Sequence, residues 1–280
     1  MPKITISDDD FLKFQEFFYR KTGIQFETSK RYFVDKRLVE RIEATANDSF
    51  RSYFTMLRFQ ASGNELQALV NLMTINETYF FREEYQFHCL VNSILPDLVA
   101  RKKDKTPIRI WVIPSSSGEE AYSIAMCLIE RWPGINDWDV EIISSDIDTK
   151  ILNQARVGLY SERSVKHVPR NYLQKYFRQT SNGFQLGDDL RSTVEFTRVN
   201  LMEAADVRSY RNFDVIFCRN LLIYFDDISR KQAAETFYDA LHPGGFICLG
   251  HSESMSRISS LYKIRKFPEA IVYQKPGDRK

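Results

Sequence analysis

From residue 108 onward, the chain alternates short runs of β-branched and aromatic residues with stretches of helical periodicity. The runs that predict strands are Ile108–Ile113, Val140–Ser145, Val194–Val199, Asp214–Cys218, Phe246–Leu249 and Ala270–Tyr273. The stretches between them that predict helices are Tyr122–Arg131, Thr149–Arg156 and Ser229–Leu241. Strands that alternate with helices favour a parallel α/β sheet with right-handed crossovers. Residues 161–191 interrupt the alternation, and we expect them to form a subdomain packed beside the sheet.

The first third of the chain has a helical pattern throughout. Apolar residues recur at helical spacing from Phe11 to Phe18, after the possible capping residue Ser7. A second predicted helix, with its apolar stripe from Phe33 to Ile42, carries four cations on the opposite face: Lys30, Lys36, Arg37 and Arg41. Further helices are predicted at Phe50–Gln60, Glu65–Met73 and Glu84–Ala100. We therefore predict a helical domain over residues 1–85, a linker over 86–107 that ends in the charged segment Arg101–Pro107, and a second domain over 108–280.

Composition narrows the class of protein. A chain of 280 residues with 43% hydrophobic residues can bury a sizeable core, and its net charge of +2 is too small for bulk attraction to nucleic acid or a membrane surface. No stretch approaches the ~18 apolar residues of a membrane-spanning helix. The cysteines form no C-x-x-C pair, so we expect buried free thiols, a reducing cytoplasm and no metal site.

Polar residues follow four consecutive predicted strands of the α/β region. They are the turn Ser115–Glu120, then Asp146, then Asn200 with Leu201, then Arg219 with Asn220. In an open α/β sheet, the ligand crevice lies at the carboxyl ends of the strands. We therefore expect these residues to meet in one crevice, with Leu201 as an apolar wall near a bound base.

The first two strand ends indicate the kind of ligand. An acid in the position of Asp146 hydrogen-bonds a ribose diol in nucleoside-binding folds; a solvated loop aspartate is the alternative. The turn before it has a single glycine, Gly118, and two glutamates in place of a glycine-rich phosphate cradle. S-adenosylmethionine has a ribose and a cationic amino-acid arm but no phosphate, so we predict that Glu119 pairs with its ammonium group. On the turn alone, Glu119 and Glu120 could instead be first-turn acids that complement the helix dipole.

Six motifs in order carry a resemblance to a known family. They are NETYFFRE (Asn76–Glu83), SSSGEEAYSIA (Ser115–Ala125), SSDIDTKILNQAR, NL at 200–201, FDVIFCRNLLIYF and HPGGFICLGHSES. In this order and spacing, the chain resembles the chemotaxis receptor glutamate methyltransferases, the CheR family, from about residue 10 to about residue 274.

The resemblance implies an all-α domain followed by a Rossmann-like S-adenosylmethionine-dependent methyltransferase domain, with a small β-subdomain inserted at about 161–195. Carried over by motif, the contacts to S-adenosylmethionine, or to the product S-adenosylhomocysteine, fall on Asn76, Thr78, Arg82, Glu119, Asp146, Asn200, Leu201, Arg219 and Asn220. Arg82 would also position the substrate carboxylate. Tyr224 is a weaker candidate for the wall of the site around that carboxylate.

The resemblance also implies the partner, the cytoplasmic helical bundle of methyl-accepting chemoreceptors. Because its methylated helices are glutamate-rich, the cationic face of Lys30, Lys36, Arg37 and Arg41 is the predicted docking face, with a solvated helix face as the alternative. The segment QTSNGFQLGDDL has only two glycines where family members that dock a receptor's tail peptide have a glycine-rich run. We therefore expect methylation that is independent of tail docking. A regulatory protein partner is possible, and the sequence does not identify one.

Three other functions remain as alternatives. An NAD-dependent oxidoreductase is disfavoured by the absent G-x-G-x-x-G motif. A nucleic-acid methyltransferase is disfavoured by the near-neutral charge and by NLLIY after the fourth strand, where an Asn/Asp-Pro-Pro-aromatic run would be expected. A non-catalytic S-adenosylmethionine-binding adaptor or sensor of the same fold is the closest alternative.

Overall fold

A computed structural model describes residues 4–102 and 105–277. The helices of the amino-terminal part are α1 (Asp8–Thr22), α2 (Arg31–Ala44), α3 (Phe50–Phe59) and α4 (Asn64–Met73). The Ser7 hydroxyl accepts a hydrogen bond from the Asp10 amide at 3.1 Å, which caps α1, and Gly23 ends the helix at φ 72°. Phe14 and Phe18 are fully buried in a core that the four helices share. The residues at the predicted outer domain limits, 1–3 and 278–280, lie outside the described part.

The helix predicted at Glu84–Ala100 is present and spans most of the predicted linker. It consists of α5 (Tyr85–Cys89), a π-helical turn over Leu90–Ile94, and α6 (Leu95–Arg101). Phe87, Leu90 and Ile94 are fully buried in the core under the main sheet. Residues 86–101 are therefore a packed helix, because their apolar face covers the sheet. Residues 103–104 of the predicted linker lie outside the described residues.

Among the described residues, seven strands form the main sheet. Its strands are β1 (Ile108–Val112), β2 (Val140–Asp146), β6 (Val194–Arg198), β7 (Phe213–Cys218), β8 (Leu241–Leu249), β9 (Lys263–Lys266) and β10 (Ile271–Gln274). Their order is β6-β2-β1-β7-β8-β10-β9. The first five are parallel, whereas β10 pairs antiparallel with both β8 and β9. The predicted parallel α/β sheet is confirmed, and β9 is a strand that the sequence analysis missed.

The helices on the two faces of this sheet include those predicted by the alternation. They are α7 (Glu119–Arg131), α8 (Thr149–Val157), α12 (Ala204–Val207) and α13 (Asp227–Ala240). The interrupting segment carries an antiparallel sheet of β3 (Leu159–Tyr160), β5 (Gly183–Leu186) and β4 (Phe177–Thr180), in that order. The short helices α9 (Glu162–Val165), α10 (Arg170–Tyr176) and α11 (Asp188–Arg191) complete it. The small inserted β-subdomain is confirmed, and its first strand precedes the predicted limit of about 161.

The helical domain is bound to the α/β domain by side-chain hydrogen bonds. Asn71 donates to the Thr149 hydroxyl at 2.9 Å and accepts from the Thr149 amide at 3.0 Å. The Thr74 hydroxyl donates to Asp148 at 2.7 Å, and the Asn200 side chain donates to the Lys21 carbonyl at 2.6 Å. These contacts hold the helical domain over the carboxyl ends of the parallel strands.

Candidate functional site

A cleft of about 290 Å³ lies between the helical domain and the carboxyl ends of β1, β2 and β7. Its walls come from the chain after α1, from residues 73–78 that follow α4, and from the turn after β1. A small apolar slot of about 50 Å³ adjoins it and shares Asp146 and Ile147 with it. This is the edge at which the polar strand ends were expected to meet.

Most of the predicted cofactor residues line these two cavities. Those in the cleft are Asn76, Thr78, Arg82, Asp146, Arg219 and Asn220, together with Tyr224. Asn200 and Leu201 line the slot. The Asn200 side chain is already engaged, since it donates to Lys21 and accepts from the Met202 amide at 3.0 Å. Asn76 likewise donates to Asp148 at 2.8 Å, so both asparagines also fix the cavity walls.

Glu119 is the predicted cofactor residue that the structure turns away from the cleft. Its carboxylate accepts hydrogen bonds from the hydroxyls of Ser117 and Ser164, both at 2.7 Å. It lines a separate cavity beside the inserted subdomain. Glu120 lines the cleft instead. Consecutive helical residues point about 100° apart, so only one glutamate of the pair can face the crevice.

Glu120 is buried against Arg219 at the floor of the cleft. Its Oε2 lies 3.1 Å from Nη1 of Arg219, and its Oε1 has no hydrogen-bond partner among the described residues. Burial raises the pKa of Glu120, and the nearby guanidinium partly offsets that effect. The Arg219 side chain is 1% exposed and also lies 3.3 Å from Glu83. The floor therefore offers a carboxylate and a guanidinium side by side.

Asp146 is held rigidly at the end of β2. Its two carboxylate oxygens accept from the amides of Ser116 at 2.8 Å and Asp148 at 3.0 Å. The turn at Ser116 has a left-handed backbone, φ 48°, which points its amide at the carboxylate. Burial raises the pKa of Asp146 to about 6, despite these hydrogen bonds. Asp146 is therefore close to its titration range near neutral pH.

The turn before α7 requires its glycine. Gly118 has φ 91°, and a Cβ there would lie 3.0 Å from the Tyr122 ring and 3.1 Å from Ala155. The glycine thus allows the turn to pack against α7 and α8, which brings the Ser115–Ser116 backbone to the cleft.

Several buried polar atoms in the cleft have no hydrogen-bond partner within residues 4–102 and 105–277. They are the hydroxyls of Ser115 and Ser116, Oε1 of Glu120 and Nε of Arg219. Buried polar atoms are hydrogen-bonded in the great majority of native structures. Such a group of unpartnered donors and acceptors fits a polar, doubly charged ligand such as the amino-acid arm of S-adenosylmethionine.

Arg82 lies at the mouth of the cleft on a strained segment. Its neighbours Phe81 and Glu83 both have left-handed backbones, with φ of 60° and 56°. The Phe81 amide donates to the Ser123 hydroxyl at 3.0 Å, which secures the segment to α7. The Arg82 guanidinium is half-buried and donates to the Glu77 carbonyl at 3.3 Å. It is positioned to meet a group that enters from solvent.

The predicted docking face on α2 is smaller than the sequence suggested. Lys30 and Lys36 are exposed. Arg41 makes a bidentate pair with Glu65 at 2.8 and 2.6 Å. Arg37 donates to the Leu72 carbonyl at 2.6 Å and stacks 3.4 Å from the Phe33 ring centroid. The two arginines therefore hold α2 against its neighbours.

Sequence reasoning missed Glu253, which shapes the cleft from behind. Its carboxylate accepts from the amides of Asn220 and Leu222, both at 2.8 Å, and of Gly250 at 2.9 Å. These bonds support the left-handed backbone of Asn220, φ 59°. Glu253 belongs to the motif HSES. A run of polar residues directly after a buried strand was the sequence signal that could have identified it as a residue of the site.

No group of three or more His, Cys, Asp or Glu residues is placed to hold a metal ion within residues 4–102 and 105–277. In the same part of the chain, no helix is both long enough and apolar enough to span a membrane.

Comparisons with known proteins agree with this arrangement. Residues 9–74 match the CheR methyltransferase all-alpha domain, and residues 76–271 match the CheR methyltransferase SAM binding domain. Chemotaxis protein methyltransferase 2 of Vibrio cholerae is 56% identical over 277 residues, which is 99% of this chain and 96% of that protein. The chemotaxis protein methyltransferase of Escherichia coli is 32% identical and covers 94% of this chain and 90% of its own length. The chain therefore belongs to the CheR methyltransferase family and is an S-adenosylmethionine-dependent methyltransferase of chemotaxis.

Proposed function

We propose that this enzyme methylates glutamate side chains in the cytoplasmic helical bundle of chemoreceptors and produces glutamate methyl esters. The observation that carries the proposal is the cleft itself. A buried interior with unpartnered polar atoms leads to a mouth where Arg82 offers a half-buried guanidinium. The interior suits the cofactor, and the mouth suits an incoming carboxylate.

The cofactor would be held by groups from both domains. Asp146 would accept from the ribose hydroxyls, and the slot beside Asn200 and Leu201 would receive the adenine. Glu120, rather than Glu119, would pair with the ammonium of the amino-acid arm, and Arg219 would pair with its carboxylate. Glu120 and Arg219 line the cleft, and each has a buried polar atom without a partner. Thr78 and Asn220 complete the walls.

The chemistry needs little from the protein beyond placement. S-adenosylmethionine supplies an electrophilic methyl group on a sulfonium. A glutamate has an unperturbed pKa of about 4.3, so its carboxylate is ionised at neutral pH and needs no general base. No histidine is among the described residues that line the cleft. Proximity and orientation can lower such a barrier by about 7–11 kcal/mol.

Arg82 is the residue that positions the substrate carboxylate. A guanidinium can hold a carboxylate through two parallel hydrogen bonds. Too strong a pair would make the carboxylate a poorer nucleophile, so the role of Arg82 is orientation. The Tyr224 ring would limit the space in which the carboxylate can move, and its place among the residues that line the cleft supports this role.

Two further aspects of substrate recognition belong to the proposal. The exposed lysines Lys30 and Lys36 contact the glutamate-rich receptor helices, so the enzyme works in the cytoplasm where those helices lie. Recognition does not need the receptor's carboxyl-terminal tail, because the β4–β5 hairpin is short, with strands of four residues each. We assign no surface of the enzyme to a regulatory protein partner.

The test uses the full chain, methyl-labelled S-adenosylmethionine and a purified cytoplasmic fragment of a chemoreceptor. We expect label on glutamate as an ester that mild alkali releases as methanol, at equal rates with and without the receptor's tail. Arg82→Ala should lower kcat/KM by about 100-fold, because a misplaced carboxylate loses its alignment. Cofactor binding without transfer to any receptor fragment would reject the proposal and leave an adaptor of this fold.

A further inference from the structure

A second cationic surface lies beside the mouth of the cleft, on the inserted subdomain. It is formed by Arg163, Lys166, His167 and Arg170, all exposed, in and between α9 and α10. We refer to these four residues as the insert face. Glu162 is the only acid in the segment 161–170, against three residues that are always cationic at neutral pH. The insert face is therefore positive.

The insert face is joined directly to the mouth. The Phe80 amide donates to the Ser164 carbonyl at 3.1 Å, which attaches the mouth segment to α9. The rings of Tyr79 and His167 lie 5.1 Å apart, and the Arg82 guanidinium lies 5.8 Å from the Tyr79 centroid. Contacts thus run without a gap from Arg82, in the cleft, to the insert face.

The charges of the insert face are available to a partner. Among the described residues, the Lys166 and Arg170 side chains make no hydrogen bond or ion pair. Arg163 pairs with Glu77 at 2.7 Å, but both side chains are largely exposed, at 85% and 73%. Exposed pairs of this kind contribute little to stability, so Arg163 can readily exchange Glu77 for another carboxylate.

The mouth also has an apolar edge. Ile75 and Ile223 line the cleft, and each is about half exposed. A partner that covers the mouth would thus meet apolar side chains at the opening and cations beside it. An amphipathic helix rich in glutamate has this combination of side chains, with the target glutamate between its neighbours.

We infer that the insert face is a second docking surface for the glutamate-rich substrate helix, on the subdomain side of the cleft. This inference rests on the proposed receptor substrate. The helix is held by Lys30 and Lys36 of the helical domain and by Lys166 and Arg170 of the inserted subdomain. Two separate contacts fix the direction of the helix, and so determine which glutamate reaches Arg82.

The test reverses two charges at the insert face and two at a distant place. Lys166→Glu with Arg170→Glu is the test variant. Lys263→Glu with Lys266→Glu, on the exposed strand β9 at the other edge of the sheet from β6, is the control with the same charge change. Calorimetry with S-adenosylmethionine checks that both variants keep the cofactor site and are folded. Calorimetry with a chemoreceptor cytoplasmic fragment gives the docking affinity, independent of methyl transfer.

We expect the insert-face variant to bind the fragment about tenfold more weakly and the control to change less than twofold, with cofactor affinity kept in both. The neutral variant Lys166→Gln with Arg170→Gln should fall between them. Equal weakening in the two reversed variants, or none in either, would overturn the inference. A wild-type chain that binds the fragment but transfers no methyl group would instead reject the proposed function and leave the docking surface standing.

Discussion

Three carboxyl groups near the cofactor cleft show how local environment separates chemically similar residues. Asp146 accepts hydrogen bonds from two backbone amides, and Glu119 accepts hydrogen bonds from two serine hydroxyls. Glu120 faces the guanidinium of Arg219, and its Oε1 has no hydrogen-bond partner among the described residues. Burial raises the pKa of all three. Of the two glutamates, only Glu120 has an acceptor left for a ligand in the cleft.

Exchanging each glutamate for glutamine separates their roles. Glu120→Gln should weaken S-adenosylmethionine binding by about 30-fold, because a charged hydrogen bond of about 2 kcal/mol is lost. The matched variant Glu119→Gln should change the affinity less than threefold, since its carboxylate faces the serines. Calorimetry measures both dissociation constants. A larger loss in Glu119→Gln would return the ammonium contact to the first glutamate of the turn.

The pH dependence of cofactor binding should follow Asp146. In the proposed binding mode, ribose hydroxyls donate to the ionised carboxylate, so we expect binding to favour the ionised form. Because burial raises the pKa of Asp146 to about 6, part of the free protein is protonated at mildly acidic pH. Affinity should therefore rise between pH 5 and 7, by at most about tenfold for each pH unit below the pKa, and level off above it. Calorimetry across this range measures the effect.

The matched control for this pH profile is Asp146→Asn. It should bind the cofactor more weakly at neutral pH and show a shallower profile, because Glu120 is then the remaining described carboxyl group of the cleft whose pKa burial raises. An unchanged slope in this variant would assign the titration to another residue.

Helix α2 combines stability and recognition on one element. Its buried stripe packs in the helical domain, and Arg41 neutralises the Glu65 carboxylate, whose side chain is only 6% exposed. The Tyr53 hydroxyl also donates to Glu65, at 2.8 Å. The exposed Lys36 makes no such contact. The cationic residues of α2 therefore divide into structural arginines and the exposed Lys36.

Alanine variants test this division. Arg41→Ala should lower the free energy of unfolding by about 3 kcal/mol, because it leaves a buried carboxylate without its charged partner. Lys36→Ala should change it by less than about 0.5 kcal/mol, as expected for an exposed side chain. Urea unfolding measures both values. If Arg41→Ala leaves stability unchanged while it weakens receptor-fragment binding, Arg41 is a docking residue after all.

At the scale of the whole molecule, the cleft exists because two domains are held together. The helical domain contributes the walls around Ile24 and residues 73–78, and the sheet contributes Asp146 and Arg219. Hydrogen bonds of Asn71 and Thr74 across the boundary fix the width of the cleft. A ligand that binds in the cleft therefore stabilises both domains at once.

Thermal unfolding should reveal this coupling. S-adenosylmethionine at 100 times its dissociation constant should raise the free energy of unfolding by about 2.7 kcal/mol. For a chain of this size, that corresponds to an increase of about 5–10 °C in a single transition. Asp146→Asn at the same cofactor concentration should shift much less. Two separate transitions, with only the higher one shifted by the cofactor, would contradict coupling through the cleft.

Much of the fold could be read from local patterns. The alternation after residue 108 predicted the parallel sheet, because apolar residues recur at a different spacing in strands than in helices, and that spacing is visible in the sequence. Local pattern was insufficient where tertiary contacts decide. It predicted the helix Glu84–Ala100, but it did not predict that Phe87 and Ile94 of this helix are buried under the sheet. The strand β9 has three cations among its four residues and forms by pairing with β10.

The sequence by itself determined the family, the order of the elements and which strand ends carry polar groups, because these depend on residue type and spacing along the chain. The tertiary structure alone decided which of two adjacent glutamates faces the cleft, which cations of α2 are free, and that the insert face lies beside the mouth. Those properties depend on where side chains point after distant segments pack together, and spacing along the chain does not encode that direction.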